Sequence, residues 1–205
     1  TLSPNLIQNS GAENGITNWI VDQGILESLV AFDCAGIAPN TGTYYFGIGG
    51  LCTSSALGVA HQDIDLSAYS TDIDMGGQFA FFGAYMSDYA GDDIPEFQLE
   101  FWGAGATLLG TSPITTGGQA VWIQFDQLLE IPTGTTSARF YMRGTRNVGV
   151  DNDSYIDDIF FHVTDGTECD ESTIYDEDND GVIDSIDNCL GLVNTDQADF
   201  NNNGI

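Results

Sequence analysis

Positive charge is almost missing from this chain. Its 205 residues include no lysine and only three arginines, Arg139, Arg143 and Arg146, against 31 acids, for a net charge of −28. Phosphate recognition needs basic patches, so the balance argues against nucleic acids and anionic membranes as partners. Histidine is equally scarce. His61 and His162 both sit in strand-like contexts, and no H-E-x-x-H, G-x-S-x-G or Cys/His pairing accompanies them. That removes the usual signatures of metalloprotease, serine hydrolase and thiol chemistry. No apolar run is long enough to cross a bilayer, so membrane insertion is not expected. No ten-residue stretch carries a helical apolar stripe either. Paired carboxylates are everywhere in so acidic a chain, which leaves a glycosidase dyad open by counting. A single small sandwich is nevertheless little scaffold for such a cleft, and we expect no enzyme.

What is present divides at about residue 165. Residues 1–165 read as β throughout, with short aromatic and β-branched runs punctuated by Gly, Ser, Thr and Asn. Strands are predicted over 5–8, 18–21, 26–32, 43–47, 56–63, 77–86, 97–102, 121–128, 138–143 and 154–163. Within Phe97-Gln98-Leu99-Glu100-Phe101 the alternation is clean, as for a strand with one wet face. Trp102 then shares the wet face with Gln98 and Glu100. Trp19 reads as core. Ten strands in this length fit an all-β sandwich, jelly-roll or immunoglobulin-like. Residues 166–205 carry no basic residue and form a separate acidic segment.

The acidic segment has a spacing that chance does not supply. Counting Asp176 as position 1, carboxylates Asp176, Asp178, Asp180, Asp184 and Asp187 fall at 1, 3, 5, 9 and 12, with Gly181 at 6. Oxygen ligands so placed converge on one hard cation, and Gly permits the sharp turn. The Val182 carbonyl would supply position 7. The expected cofactor is calcium; the plain alternative is a solvated acidic tail.

Four cysteines, none in a C-x-x-C pair, point to an oxidising compartment and two disulfides, hence a secreted or cell-surface protein. Sequence order favours Cys34–Cys52 and Cys169–Cys189, with two other pairings open. We expect Thr1 to lie after processing.

Two stretches resemble known families. The run from Asp176 to Cys189, D-E-D-N-D-G-V-I-D-S-I-D-N-C, is similar to thrombospondin type 3 repeats, and Asn194, Gln197, Asp199, Asn201, Asn203 and Gly204 resemble the start of the next repeat. Leu190 replaces the Pro usual after the Cys. The resemblance implies a calcium-binding spacer in a longer protein. Residues 5–19, N-L-I-Q-N-S-G-A-E-N-G-I-T-N-W, with T-G-T-Y-Y-F at 41–46, A-H-Q-D-I-D-L at 60–66 and Y-I-D-D-I-F-F at 155–161, resemble galactose-binding-like jelly rolls of carbohydrate-binding module families. Ala12 departs from the usual Phe.

That second resemblance implies a jelly-roll fold, a polysaccharide or glycan as ligand, and a structural calcium joining the first and last strands. Carried over, its ligands are Glu13, Asp157 and carbonyls near Thr41 and Thr43. The residues give an independent argument. Neighbours on a strand face opposite ways, so one of Asp157 and Asp158 must point inward, where a carboxylate needs a partner. The alternative partners are backbone N–H groups or an Arg.

A loop reading Y-M-S-D-Y-A-G-D-D-I-P places Tyr85, Asp88, Tyr89 and Asp92 together. Acids beside exposed rings suit sugars, since carboxylates accept hydroxyl protons and ring faces stack on C–H surfaces. These four, with Trp102, are the expected ligand residues; a solvated hairpin tip is the plain alternative. Arg143 and Arg146 are expected to pair with acids of residues 147–153. The function that fits is a non-catalytic, secreted carbohydrate-binding module, tethered by its calcium spacer to an enzyme or cell-surface domain of the same polypeptide. The rival is an adhesion or structural stalk module of a cell-surface protein; a small lyase or hydrolase is a third reading.

Overall fold

The wet-and-dry alternation along the chain folds into two antiparallel sheets packed face to face. The computed structural model describes residues 2–90 and 92–166, and residues 2–164 cluster as one unit. The tail loop (Asp176, Asp178, Asp180, Val182, Asp184, Asp187) and the Cys169–Cys189 pairing lie outside the described residues. One sheet has the order β1 (Ile20–Gln23), β4 (Leu57–Asp65), β10 (Thr135–Thr145), β6 (Ile94–Gly103), β7 (Thr107–Thr111), with β8 (Thr115–Thr116) also on β6. The other has the order β2 (Leu26–Val30), β3 (Tyr44–Ile48), β11 (Tyr155–Thr164), β5 (Phe79–Ser87), β9 (Ile123–Glu130). This is the β-sandwich expected. One short helix, α1 (Ser70–Met75), lies between β4 and β5 in the chain and buries Ile73. No described helix is long and apolar enough to span a membrane.

The core forms where inward residues of the two sheets meet. β10 contributes Ala138, Phe140 and Met142, β6 contributes Phe97, Leu99 and Phe101, and the opposite sheet contributes Phe46, Phe82, Ile156 and Phe161, all at most 1% exposed. Phe140 is the hub, with Phe97 stacked at 5.4 Å and Phe82 and Trp19 edge-on at 6.5 and 6.3 Å. Such offset and edge geometries suit the ring quadrupole. Trp19 is core, as expected.

Three strand readings differ from the structure. Residues 5–8 are not a ladder strand, although Ser3 and Leu6 donate N–H bonds to β11 carbonyls. Asn5 anchors this run by accepting from the N–H groups of Ile7 and Phe161 and donating to the Ile159 carbonyl. β7 and β8 were not anticipated: Leu108 and Leu109 are exposed at the sheet edge, so burial never imposed a legible alternation on them.

The five-stranded sheet carries a partial third layer. Its outward residues Leu29, Tyr45 and Tyr155 pack with Leu51, Ile37 and Trp122 under the segment closed by the Cys34–Cys52 disulfide, which spans 5.3 Å between Cα atoms. The Glu27 carboxylate clamps the same segment by accepting N–H bonds from Leu51, Cys52 and Thr53 at 2.7–2.9 Å. Burial pushes the Tyr45 hydroxyl up to about 12.

Candidate functional site

Two places on the sandwich concentrate chemistry. The first is where the opening loop meets the last strand. Strand alternation would send Asp157 and Asp158 to opposite faces, but the ladder between β11 and β5 bulges after Asp157, and Asp158 takes a left-handed conformation at φ 47°. A bulge re-aims side chains. Both carboxylates therefore turn to the 40–41 loop, so the expectation that the pair divides between faces is corrected.

The fully buried Asp157 accepts N–H bonds from Asn40 at 2.9 Å and Thr41 at 3.3 Å. Asp158 accepts from the Asn40 amide and the Thr41 hydroxyl, each at 2.7 Å. Glu13 accepts from the Thr43 and Tyr44 N–H groups at 2.7 and 2.9 Å. Gly42, at φ 63°, lets the loop pass this close; a Cβ there would overlap the Glu13 carboxylate.

The contacts at Thr41 and Thr43 are thus donors, and backbone capping is the partnership that forms. Capping does not offset the charge. Desolvation first, then the neighbouring Asp158, push the Asp157 carboxyl up to about 7. Among the described residues no arginine bonds to it. Hard oxygen donors, a buried anion and a like-charged neighbour are a donor set that fits calcium. The three acids are not drawn within 4.8 Å of one another, so main-chain oxygens would have to complete a shell. Among the described residues the trio that close, Asp33, Cys34 and Cys52, has its sulfurs in the disulfide.

The second place is the outward face of the six-stranded sheet. Since Ala138, Phe140 and Met142 face the core, Arg139, Tyr141 and Arg143 of β10 face out. Pairing sets them in rows with β4 and β6: Asp65, Ser137 and Trp102; Asp63, Arg139 and Glu100; His61, Tyr141 and Gln98; Val59, Arg143 and Glu96. Arg139 grips Asp63 through two bonds, Nε to Oδ1 at 2.6 Å and Nη2 to Oδ2 at 3.0 Å. Its guanidinium carbon also lies 5.8 Å from the Trp102 ring centre and 5.9 Å from that of Tyr141. The Arg139 bond holds the Asp63 carboxyl below its usual range, and Asp63 raises Arg139 in turn.

The Trp102 indole N–H donates to Glu100 at 3.0 Å, which fixes the ring's orientation. The His61 ring lies 5.5 Å from that of Tyr141, and its Nδ1 meets Asp22 at 2.6 Å. Two depressions flank this ladder. One, of 190 Å³, is lined by Glu96, Gln98, Glu100, Ile114, Tyr141 and Arg143; the other, of 480 Å³, by Asp63, Trp102, Arg139 and the 103–106 turn.

Of the five expected ligand residues, Trp102 alone is on this face. Tyr85 projects from β5 on the outer side of the other sheet. Asp88 is fully buried, beyond reach of a ligand, because the loop folds back so that its N–H bonds to Gln119. Asp92 and Tyr89, the latter 57% exposed, remain at the loop. Asp93 is structural: it accepts N–H bonds from Asn147, Val148 and Asp153 and so shapes residues 147–153. Arg143 pairs with Glu96 at 3.6 Å, not with acids of that loop, because β10 keeps it in the ladder. Arg146 donates to the Val150 carbonyl. Tyr141, Arg139 and Gln98 were missed as site residues. The alternation of A-R-F-Y-M-R carried the signal, since it puts Arg, Tyr and Arg on one wet face.

Solved structures similar to this chain share the sandwich. A family 16 carbohydrate-binding module matches with a TM-score of 0.53 at 18% identity, over 77% of this chain and 99% of that one. A CBM61 module in complex with β-1,4-galactotriose matches at 0.50 and 15%, over 78% and 98%. The enzymatically active domain of tailspike protein 4 of bacteriophage CBA120 matches at 0.53 and 13%, over 78% of this chain but 21% of that one. At these identities the likeness shows the fold alone. No protein-family model matches the chain, and no curated protein does.

Proposed function

We propose that residues 2–164 are a non-catalytic carbohydrate-binding module whose ligand lies along the Trp102–Arg139–Tyr141 ladder. That ladder carries the reading: two partly buried rings held by one arginine, between two depressions, with carboxylate and amide acceptors in the adjoining rows. Each sugar hydroxyl bonded here replaces a bond to water, so the gain per bond is only about 1 kcal/mol and the rings supply much of the affinity. The protein is secreted or at a cell surface, consistent with its disulfide. Glu13, Asp157 and Asp158 hold a structural calcium, which supplies a positive charge tying the opening loop to the last strand. Residues 176–187 bind a second calcium in a spacer, and the spacer raises the module's effective concentration on a glycan next to the domain it is joined to.

The test is binding of neutral oligosaccharides, starting with β-1,4-galactotriose, to wild type and to Trp102→Ala, Tyr141→Ala and Tyr89→Ala. Losing either ladder ring should weaken binding about 5- to 13-fold, at roughly 1–1.5 kcal/mol per ring, with melting temperature nearly unchanged. If Tyr89→Ala alone weakens binding, the ligand sits at the 88–93 loop instead.

A second reading, an adhesion module, has one observation of its own. Phe81, Phe160 and His162 form a patch of rings 5.1–6.4 Å apart on the outer face of the five-stranded sheet. Absence of binding across a broad glycan screen would favour it.

A further inference from the structure

We propose that the ladder selects uncharged sugar chains and rejects uronates, because Arg139 is an internal strut and not an anion receptor, and acids outnumber the arginines around it. The inference rests on the glycan-binding reading above. In most binding grooves an exposed arginine invites a carboxylate, since its planar fork matches one. Here the fork is already used. Arg139 spends Nε and Nη2 on Asp63 and reaches the Tyr141 hydroxyl with Nη1 at 3.4 Å, and its guanidinium carbon lies 5.8 and 5.9 Å from the ring centres of Trp102 and Tyr141. Arg143 is the looser of the two, 3.6 Å from Glu96, and is answered by that carboxylate.

Against these two arginines the four rows hold Asp63, Asp65, Glu96 and Glu100. The smaller depression sets Glu96 and Glu100 against Arg143 alone. A sugar carboxylate entering there would meet an excess of like charge, whereas a hydroxyl can donate to the same oxygens. Glu100 keeps one oxygen on the Trp102 N–H and has its second for the ligand. The field of the whole chain, at −28, acts in the same direction, though over distances that salt screens.

The experiment compares a neutral polysaccharide that the protein binds with the same polymer oxidised at C6 to the uronate, and with the methyl ester of that uronate. Linkage is then matched; the uronate and its ester both lack the C6 hydroxyl and differ from each other in charge and one methyl group, so their comparison isolates charge. Oxidation should weaken binding at least tenfold at low salt, and esterification should restore it. Glu96→Gln with Glu100→Gln should narrow the gap several-fold. Asp126→Asn with Glu130→Gln, an equal change of net charge on the other sheet, should leave it unchanged. The proposal is overturned if the oxidised polymer binds as well as the neutral one, if the ester does not recover binding, or if the two pairs of variants act alike. Should none of the polymers bind at all, the glycan reading itself fails. The ester comparison needs no variant, so a misfolded protein cannot obscure the outcome.

Discussion

Replacing Asp157 by Asn should make the calcium-free protein more stable at pH 8, the reverse of what deleting a buried hydrogen-bonded group usually does. An ordinary aspartate titrates near 3.9, and Asp157 is pushed up to about 7 by burial and by Asp158. That difference corresponds to about 4 kcal/mol between the protonated and ionised forms. The sign follows from linkage: where the native state binds the proton more tightly than the unfolded chain, stability falls as pH rises. The contribution is complete below about pH 4 and lost as pH climbs through about 7. Asn keeps a carbonyl for the Asn40 and Thr41 N–H groups without the charge, so the variant should lack this slope.

Urea unfolding in chelator from pH 5 to 8 gives the comparison. The difference between variant and wild type should swing toward the variant by about 2.6 kcal/mol over that range. Added calcium should reverse the order by stabilising wild type alone, by about 2.7 kcal/mol when its concentration is a hundredfold above the dissociation constant. If the variant is equally destabilised at pH 5 and pH 8, and calcium changes neither protein, the N–H caps are sufficient for the anion and no cation is awaited.

Three further outcomes are expected. Glu27→Ala removes three N–H bonds from the disulfide-closed segment and should cost about 2 kcal/mol; combined with Cys34→Ser and Cys52→Ser it should cost more than the sum, and strict additivity in thermal melts would show that clamp and disulfide act independently. Asp63 sits below the usual carboxylate range because of Arg139, so its contribution is present above about pH 4 and lost as pH falls through the lowered value; Trp102 fluorescence should change there in wild type and not in Asp63→Asn, and identical profiles would disconnect the pair from the ladder. A peptide covering residues 166–205, with Cys169 and Cys189 oxidised, should bind calcium through Asp176, Asp178, Asp180, Asp184 and Asp187; no heat of binding at millimolar calcium would remove the spacer site.

How far the sequence could be read depended on what burial had imposed on it. β6 and β10 alternate strictly because one side meets Phe46 and Phe82 of the facing sheet and the other meets water, and that alone places Gln98, Glu100 and Trp102 together. Residues 107–111 lie at an edge, exposed except for the partly buried Gly110, so nothing in their order marks a strand. The ligand residues chosen from the loop failed to assemble for a related reason. Tyr85 and Trp102 belong to different sheets and Asp88 is buried just past the end of β5, and side-chain type does not reveal which sheet a strand joins. Register assembles the ladder, by setting β10 between β4 and β6.

The bulge at Asp158 is the complementary case. The D-D pair was legible as a feature in need of a partner, but period-two reasoning sends its two side chains apart. A single residue at φ 47° breaks that period and joins them. Left-handed backbone in a non-glycine residue is costly and persists only where surroundings over-determine it. Here the Ile159 N–H bonded to Ser10 and the two Asn40 contacts do so. A strand that spends conformational strain to bring two carboxylates together, with no arginine in reach, has an arrangement whose natural complement is a cation. The pH slope of the Asp157 variant therefore bears on the bulge as well as on the metal. If the slope is absent, the strain has some purpose other than calcium, and the opening loop is held by hydrogen bonds alone.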